Sequence, residues 1–106
     1  MRTLTDTGRR TRSETLWCIR LDDPQVTPPR VAFSIGRSVG PAVIRNRLRR
    51  RLRAILRTMA ASGTLRDGWV LIGVRARRGT QPSAVERTFA QLAGEVTALL
   101  EPAVPA

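Results

Sequence analysis

The stretch RVAFSIGRSVGPAVIRNRLRRRLRAILR, residues 30–57, changes its hydrophobic period part-way along. In RVAFSIG, Val31, Phe33 and Ile35 alternate with Ala32 and Ser34, the period of a strand with one buried face. Beyond Gly40-Pro41 the apolar residues are Ile44, Leu48, Leu52, Ile55, Leu56 and Met59, which fall on one helical stripe. Proline suits the first helical position, where an amide donor would have no partner, and Gly63 is placed to end the helix. A strand feeding a long amphipathic helix is the first half of a crossover unit, so the fold is mixed rather than all-helical.

The flanks extend that frame. Towards the N-terminus, TLWCIRL (15–21) puts Trp17, Ile19 and Leu21 on one face of a strand, and DDPQVTPP (22–29) is a proline-rich loop. Residues 1–13 are polar and basic, a short helical stub or a loose end. Towards the C-terminus, a turn at Asp67-Gly68 leads into WVLIGVRA (69–76), whose unbroken apolar run predicts a central strand covered on both faces. RRGTQ (77–81) is a loop. Pro82 is expected to start a last helix with Val85, Phe89, Leu92, Val96, Leu99 and Leu100 on its buried stripe, and residues 102–106 are a frayed tail. With 106 residues, no repeat and no internal linker, this is one domain. The order strand, strand, helix, strand, helix gives an α+β fold with helices packed on a small sheet.

Composition narrows the chemistry. Nineteen basic residues face eight acidic ones for a net charge of +11, and every basic residue is arginine. A GC-rich genome would favour arginine over lysine, but the excess of positive charge still calls for a polyanionic partner. There is no histidine, which excludes Ser-His-Asp and Cys-His arrangements. A single cysteine, Cys18, excludes an internal disulfide and a thiolate zinc site, and its place in a strand predicts a buried, inert thiol. No apolar run is long enough to span a membrane, and the N-terminus lacks the apolar core of a signal peptide; the cytoplasm is the expected compartment.

On a helical wheel with Ile44 at zero, Ile44, Leu48, Leu52, Ile55 and Met59 fall within roughly 0–80°. Asn46, Arg49, Arg50, Arg53 and Arg57 fall within roughly 140–240°, with Arg45, Arg47 and Arg51 on the flanks. No acidic residue lies between Pro41 and Leu65, although like charges at i,i+4 cost a few tenths of a kcal/mol per pair. A merely solvated helix usually interleaves glutamate. A ridge of this kind becomes favourable when a polyanion supplies the countercharge and releases its own condensed ions. Asn46, amid the arginines, suits a base or ribose, and it equally suits tying the helix start to a neighbouring strand or loop. The strands on either side of the helix are unlike the DNA-binding helix modules, which favours RNA held through phosphates and 2′-hydroxyls.

At these residues the chain resembles the protein subunit of bacterial ribonuclease P. The resemblance runs from residues 30–57, with the Arg-Asn-Arg core at 45–47, through GWVLIGVRA and the final helix, and covers about residues 8–100. It implies a subunit that binds the catalytic RNA and precursor tRNA while the RNA removes the 5′ leader. It also implies no catalytic residue in the protein, and Mg2+ held through the RNA rather than by protein side chains. By position, Arg37, Arg45, Asn46, Arg47, Arg49, Arg50 and Arg53 match the family's basic residues, and Arg57 extends the same ridge; Ser38 stands where many members are basic. The implied fold is like the second domain of a small-subunit ribosomal protein, with a left-handed strand-helix-strand crossover. Generic physics would favour the right hand.

Two departures touch the single-stranded leader. The family's N-terminal helix carries aromatic residues, whereas residues 2–7 hold none, and Ile19 occupies a sheet position where an aromatic is usual. A start site downstream of the family's would account for the first. The alternative class is a ribosomal or ribosome-assembly RNA-binding protein. A stand-alone nuclease would need converging carboxylates, and the adjacent pair Asp22-Asp23 runs into the proline-rich loop instead.

Overall fold

The computed structural model describes residues 9–76 and 83–100. Four strands, β1 (Arg9–Arg12), β2 (Leu16–Asp22), β3 (Arg30–Ser34) and β4 (Gly68–Val74), form one sheet in the order β1-β2-β4-β3. β1 pairs β2 and β2 pairs β4 antiparallel, whereas β3 pairs β4 in parallel. Helix α1 (Ala42–Ala61) connects β3 to β4, and helix α2 (Phe89–Leu100) closes the described chain. The predicted crossover unit is therefore real, and its two strands are neighbours.

The register separates the sheet into two unlike faces. Residues opposite one another share a face. Leu16 and Cys18 of β2, Val70 and Ile72 of β4 and the half-buried Val31 and Phe33 of β3 point to one side. There they meet Leu48, Leu52, Ile55, Leu56 and Met59 of α1 and Leu92, Val96, Leu99 and Leu100 of α2, which completes the core. The other face carries Trp17, Ile19 and Leu21 opposite Gly73, Leu71 and Trp69, with Arg10 and Arg12 on β1. Among the described residues no helix covers it.

Three expectations are corrected. Residues 9–12 form a four-residue edge strand rather than a helical stub or a loose end, held by the β2 ladder and by Thr11 Oγ1 donating to Leu99 O at 3.4 Å. β4 is central, yet among the described residues helices cover it on one side only: both lie on the core face, and Trp69 is exposed. Finally, the last helical stripe is broken. Ala84–Glu86 makes a 3-10 turn, Arg87 is extended, and α2 starts at Phe89, which remains 48% exposed rather than buried. The break is set by a reciprocal cap, Gln91 N donating to Thr88 Oγ1 at 3.1 Å and Thr88 N to Gln91 Oε1 at 2.9 Å. The expected starts and ends at residues 1–8, 77–82 and 102–106 lie outside the described residues.

α1 begins one residue later than predicted, with Pro41 as its N-cap in extended conformation. Its end is as expected. Gly63 takes φ 77°, Gly63 N donates to Ala60 O and Thr64 N to Met59 O, which pairs two carbonyls of the last turn.

Candidate nucleic-acid interface

The buried stripe of α1 fixes where its arginines go. With Leu48, Leu52, Ile55, Leu56 and Met59 against the sheet, Asn46, Arg47, Arg50, Arg53 and Arg57 are exposed, and Arg45, Arg49 and Arg51 are half-buried. Arg37 is exposed in the 3-10 turn Arg37–Val39 just ahead of the helix. The wheel placed Asn46, Arg50, Arg53 and Arg57 on the exposed side as found, whereas Arg49, placed on the ridge, is half-buried and Arg47, placed on a flank, is exposed; Arg37 stands at the helix entry.

Several members are already oriented. Arg45 turns back on the helix entry, its Nε donating to Gly40 O at 3.1 Å. Arg49 Nη1 donates to Asn46 Oδ1 at 2.9 Å, a contact within the helix itself. Arg53 lies over the Phe33 ring, 5.8 Å from its centroid, which settles the guanidinium stem against the edge of the sheet. Arg51 points the other way, and its Nη1 donates to Arg87 O at 3.4 Å.

Three carboxylates are paired on other elements: Asp22 faces Arg20 at 3.7 Å and Arg66 at 3.4 Å, and Glu14 and Glu95 both meet Arg87. α1 itself carries seven arginines and no acidic residue. The ridge is therefore a strongly cationic surface, and its field favours a polyanion.

Sequence inspection missed two features. The first is a clasp centred on Glu95 of α2: Thr15 N and Oγ1 donate to its carboxylate at 2.8 and 2.7 Å, Ser13 Oγ donates as well, and Arg87 Nε stands 3.4 Å away. Burial works to raise the Glu95 pKa, but these hydrogen bonds and the Arg87 charge outweigh it and hold the carboxyl below its usual range. The clasp ties the β1–β2 turn to the middle of α2 and to Arg87 ahead of it; no local motif announces it. The second is the open sheet face, where Arg10, Arg12, Trp17 and Arg75 border a shallow cavity of about 250 Å3. Its sequence signals were the alternation of Trp17, Ile19 and Leu21 and that of Arg10 and Arg12.

Neither surface suits nucleophilic or metal chemistry of its own. Burial pushes the Cys18 thiol up to about 11, against the opposing effects of Arg20 and Thr11, so it is not a thiolate at neutral pH. Among the described residues no three His, Cys, Asp or Glu stand together as a metal site, and a field of arginines repels a dication. No described helix is long and apolar enough to cross a membrane.

An α+β domain whose described residues form a four-stranded sheet, with an arginine-rich helix between its parallel strands, is the class that fold and surface define. The sequence family described as Ribonuclease P matches residues 2–104, and the chain belongs to that family. A ribonuclease P protein component from Micrococcus luteus is 38% identical over 91 residues, 82% of this chain and 66% of the relative. This chain thus spans slightly under two thirds of that relative's length. One from Gluconacetobacter diazotrophicus is 37% identical over 97 residues, 91% of this chain and 78% of the relative. Among solved structures, the Staphylococcus aureus RNase P protein superposes with TM-score 0.76 at 17% identity, covering 93% of this chain and 84% of that one. The Thermotoga maritima protein gives 0.75 at 19%, covering 92% and 86%. At those identities the structural likeness is one of fold.

Proposed function

We propose that this chain serves as the protein subunit of ribonuclease P, binding the ribonuclease P RNA and precursor tRNA and assisting endonucleolytic removal of the 5′ leader. The observation that carries this is the arginine ridge of α1, a helix with seven arginines and no acidic residue, on which Arg47, Arg50, Arg53 and Arg57 are exposed. Arg37, Arg45, Arg47, Arg49, Arg50, Arg53 and Arg57 would meet RNA phosphates, for which the guanidinium fork is well matched. Asn46, held by Arg49, would present its amide donors to a ribose or base. Family membership supports an RNA partner.

The chemistry would belong to the RNA. The protein offers no carboxylate set for Mg2+ among its described residues, so any Mg2+ would be carried through the RNA. The leader would lie on the open sheet face. There Trp17 and Trp69 offer the ring faces that Ile19 lacks, and stacking on such rings grips a single strand without reading its sequence. Recovery of the protein from its host, with sequencing of the bound RNA, tests the proposal. Ribonuclease P RNA should dominate; ribosomal RNA in its place would transfer the chain to ribosome assembly.

A further inference from the structure

A second feature borders the arginine ridge. Between α1 and the free edge of β3 runs a groove of about 170 Å3, lined by Pro29, Phe33 and Leu56 together with the exposed Ala60, Arg53 and Arg57. The volume is on the scale of one ring system rather than a larger ligand. Its walls are apolar, its rim is cationic, and β3 pairs only β4, so the strand's outer edge has no partner among the described residues.

We propose that this groove takes a single unstacked nucleobase of the bound RNA, so that the protein grips a bulged or looped nucleotide as well as backbone phosphates. The inference rests on α1 binding RNA. Arg53 belongs to both features: it lies on the exposed ridge and over the Phe33 ring. A strand whose phosphates follow Arg49, Arg53 and Arg57 therefore passes the groove mouth. A base turned inward there leaves water for Phe33 and Leu56 and stacks against a ring or guanidinium plane. The chain's own described ends lie elsewhere. Leu100 is fixed beside Arg20 through a hydrogen bond of 2.8 Å, and Arg9 is opposite Arg20, both on the far side of the sheet from β3.

Filling the groove without changing charge isolates it. Ala60 is exposed, so Ala60→Phe should keep the wild-type melting temperature, and Ala60→Ser leaves the groove open as a control. Binding is measured with a short oligouridylate and with the same backbone lacking bases. Wild type and Ala60→Ser should bind the oligouridylate about tenfold more tightly than Ala60→Phe does, while all three bind the abasic strand alike. Equal affinity of wild type and Ala60→Phe for the oligouridylate overturns the groove and leaves RNA binding by α1 standing. Failure of wild type to bind any RNA removes both. Loss of self-association in sedimentation, with RNA affinity unchanged, assigns the groove to a second copy of the chain and also overturns the inference.

Discussion

Trp17 and Gly73 face one another across β2 and β4, and the indole lies where a side chain on Gly73 would stand: a Cβ there would come within 2.1 Å of Trp17 Cε2 and Cζ2. The glycine is thus what lets a tryptophan lie against the open sheet. Gly73→Ala should swing the ring towards solvent and cost about 1–3 kcal/mol of stability, as overpacking usually does. A red-shifted tryptophan emission together with a lower urea midpoint is the expected result; unchanged emission would mean that the ring does not depend on Gly73.

Within α1, packing and contact separate cleanly. Leu48 is 3% exposed and faces the sheet, so Leu48→Ala should lose about 2–5 kcal/mol through the cavity it leaves. Asn46 is exposed and bonded only along its own helix in the described contacts, so Asn46→Ala should shift stability by less than about 0.5 kcal/mol. Its effect should appear in RNA affinity instead. Thermal melts of both variants followed by RNA titration check this, and an Asn46→Ala melt as early as that of Leu48→Ala would make the residue a brace.

The Glu95 clasp predicts an acid dependence. Its folded pKa lies below the usual 4.5, so the folded protein binds the proton more weakly than the unfolded chain. The stabilisation is full above the unfolded value and disappears as pH falls through the depressed folded value. Glu95→Gln should destabilise the protein at neutral pH by about 1–3 kcal/mol, since Arg87 and two hydroxyls lose a charged partner. That difference should shrink as the pH falls below the unfolded value and through the depressed folded one. Parallel wild-type and variant slopes in urea titrations across that interval would remove Glu95 as the cause.

Salt dependence reads the ridge directly. If five or six arginines in all, Arg37 among them, each neutralise one phosphate, log affinity against log salt should fall with a slope of about −4.5 to −5.5. Arg50→Ala or Arg53→Ala should flatten it by about one unit. Filter-binding isotherms at several salt concentrations give the slopes. No change for either variant would identify a solvated face.

How much was legible depended on how local the cause was. α1 could be read almost in full, because stripe, N-terminal proline and Gly63 are all encoded close to its own residues; only its first residue and the places of Arg47 and Arg49 on the ridge differ from the reading. β1 could not: RRTR has no apolar pattern, and its strand form comes from the β2 ladder and from Thr11 reaching α2. The one-sided covering of β4 was hidden as well, since an apolar run is the same whether helices lie on one face or two. Trp69 is exposed because α1 and α2 chose the same side. The broken last helix was legible in principle. Thr88 and Gln91 carry a capping-box spacing that the apolar stripe from Val85 to Leu92 masked.

The central claim is that the chain acts on precursor tRNA only through RNA, by way of the α1 ridge. Cleavage of precursor tRNA at low Mg2+ tests it, with wild-type protein alone, with ribonuclease P RNA from the same host alone, and with both, beside the combined Arg47→Ala, Arg50→Ala and Arg53→Ala variant. The account predicts cleavage only when wild-type protein and RNA are together, and little or none when the folded variant replaces it. Cleavage by the protein alone, or full activity with the variant, would contradict it.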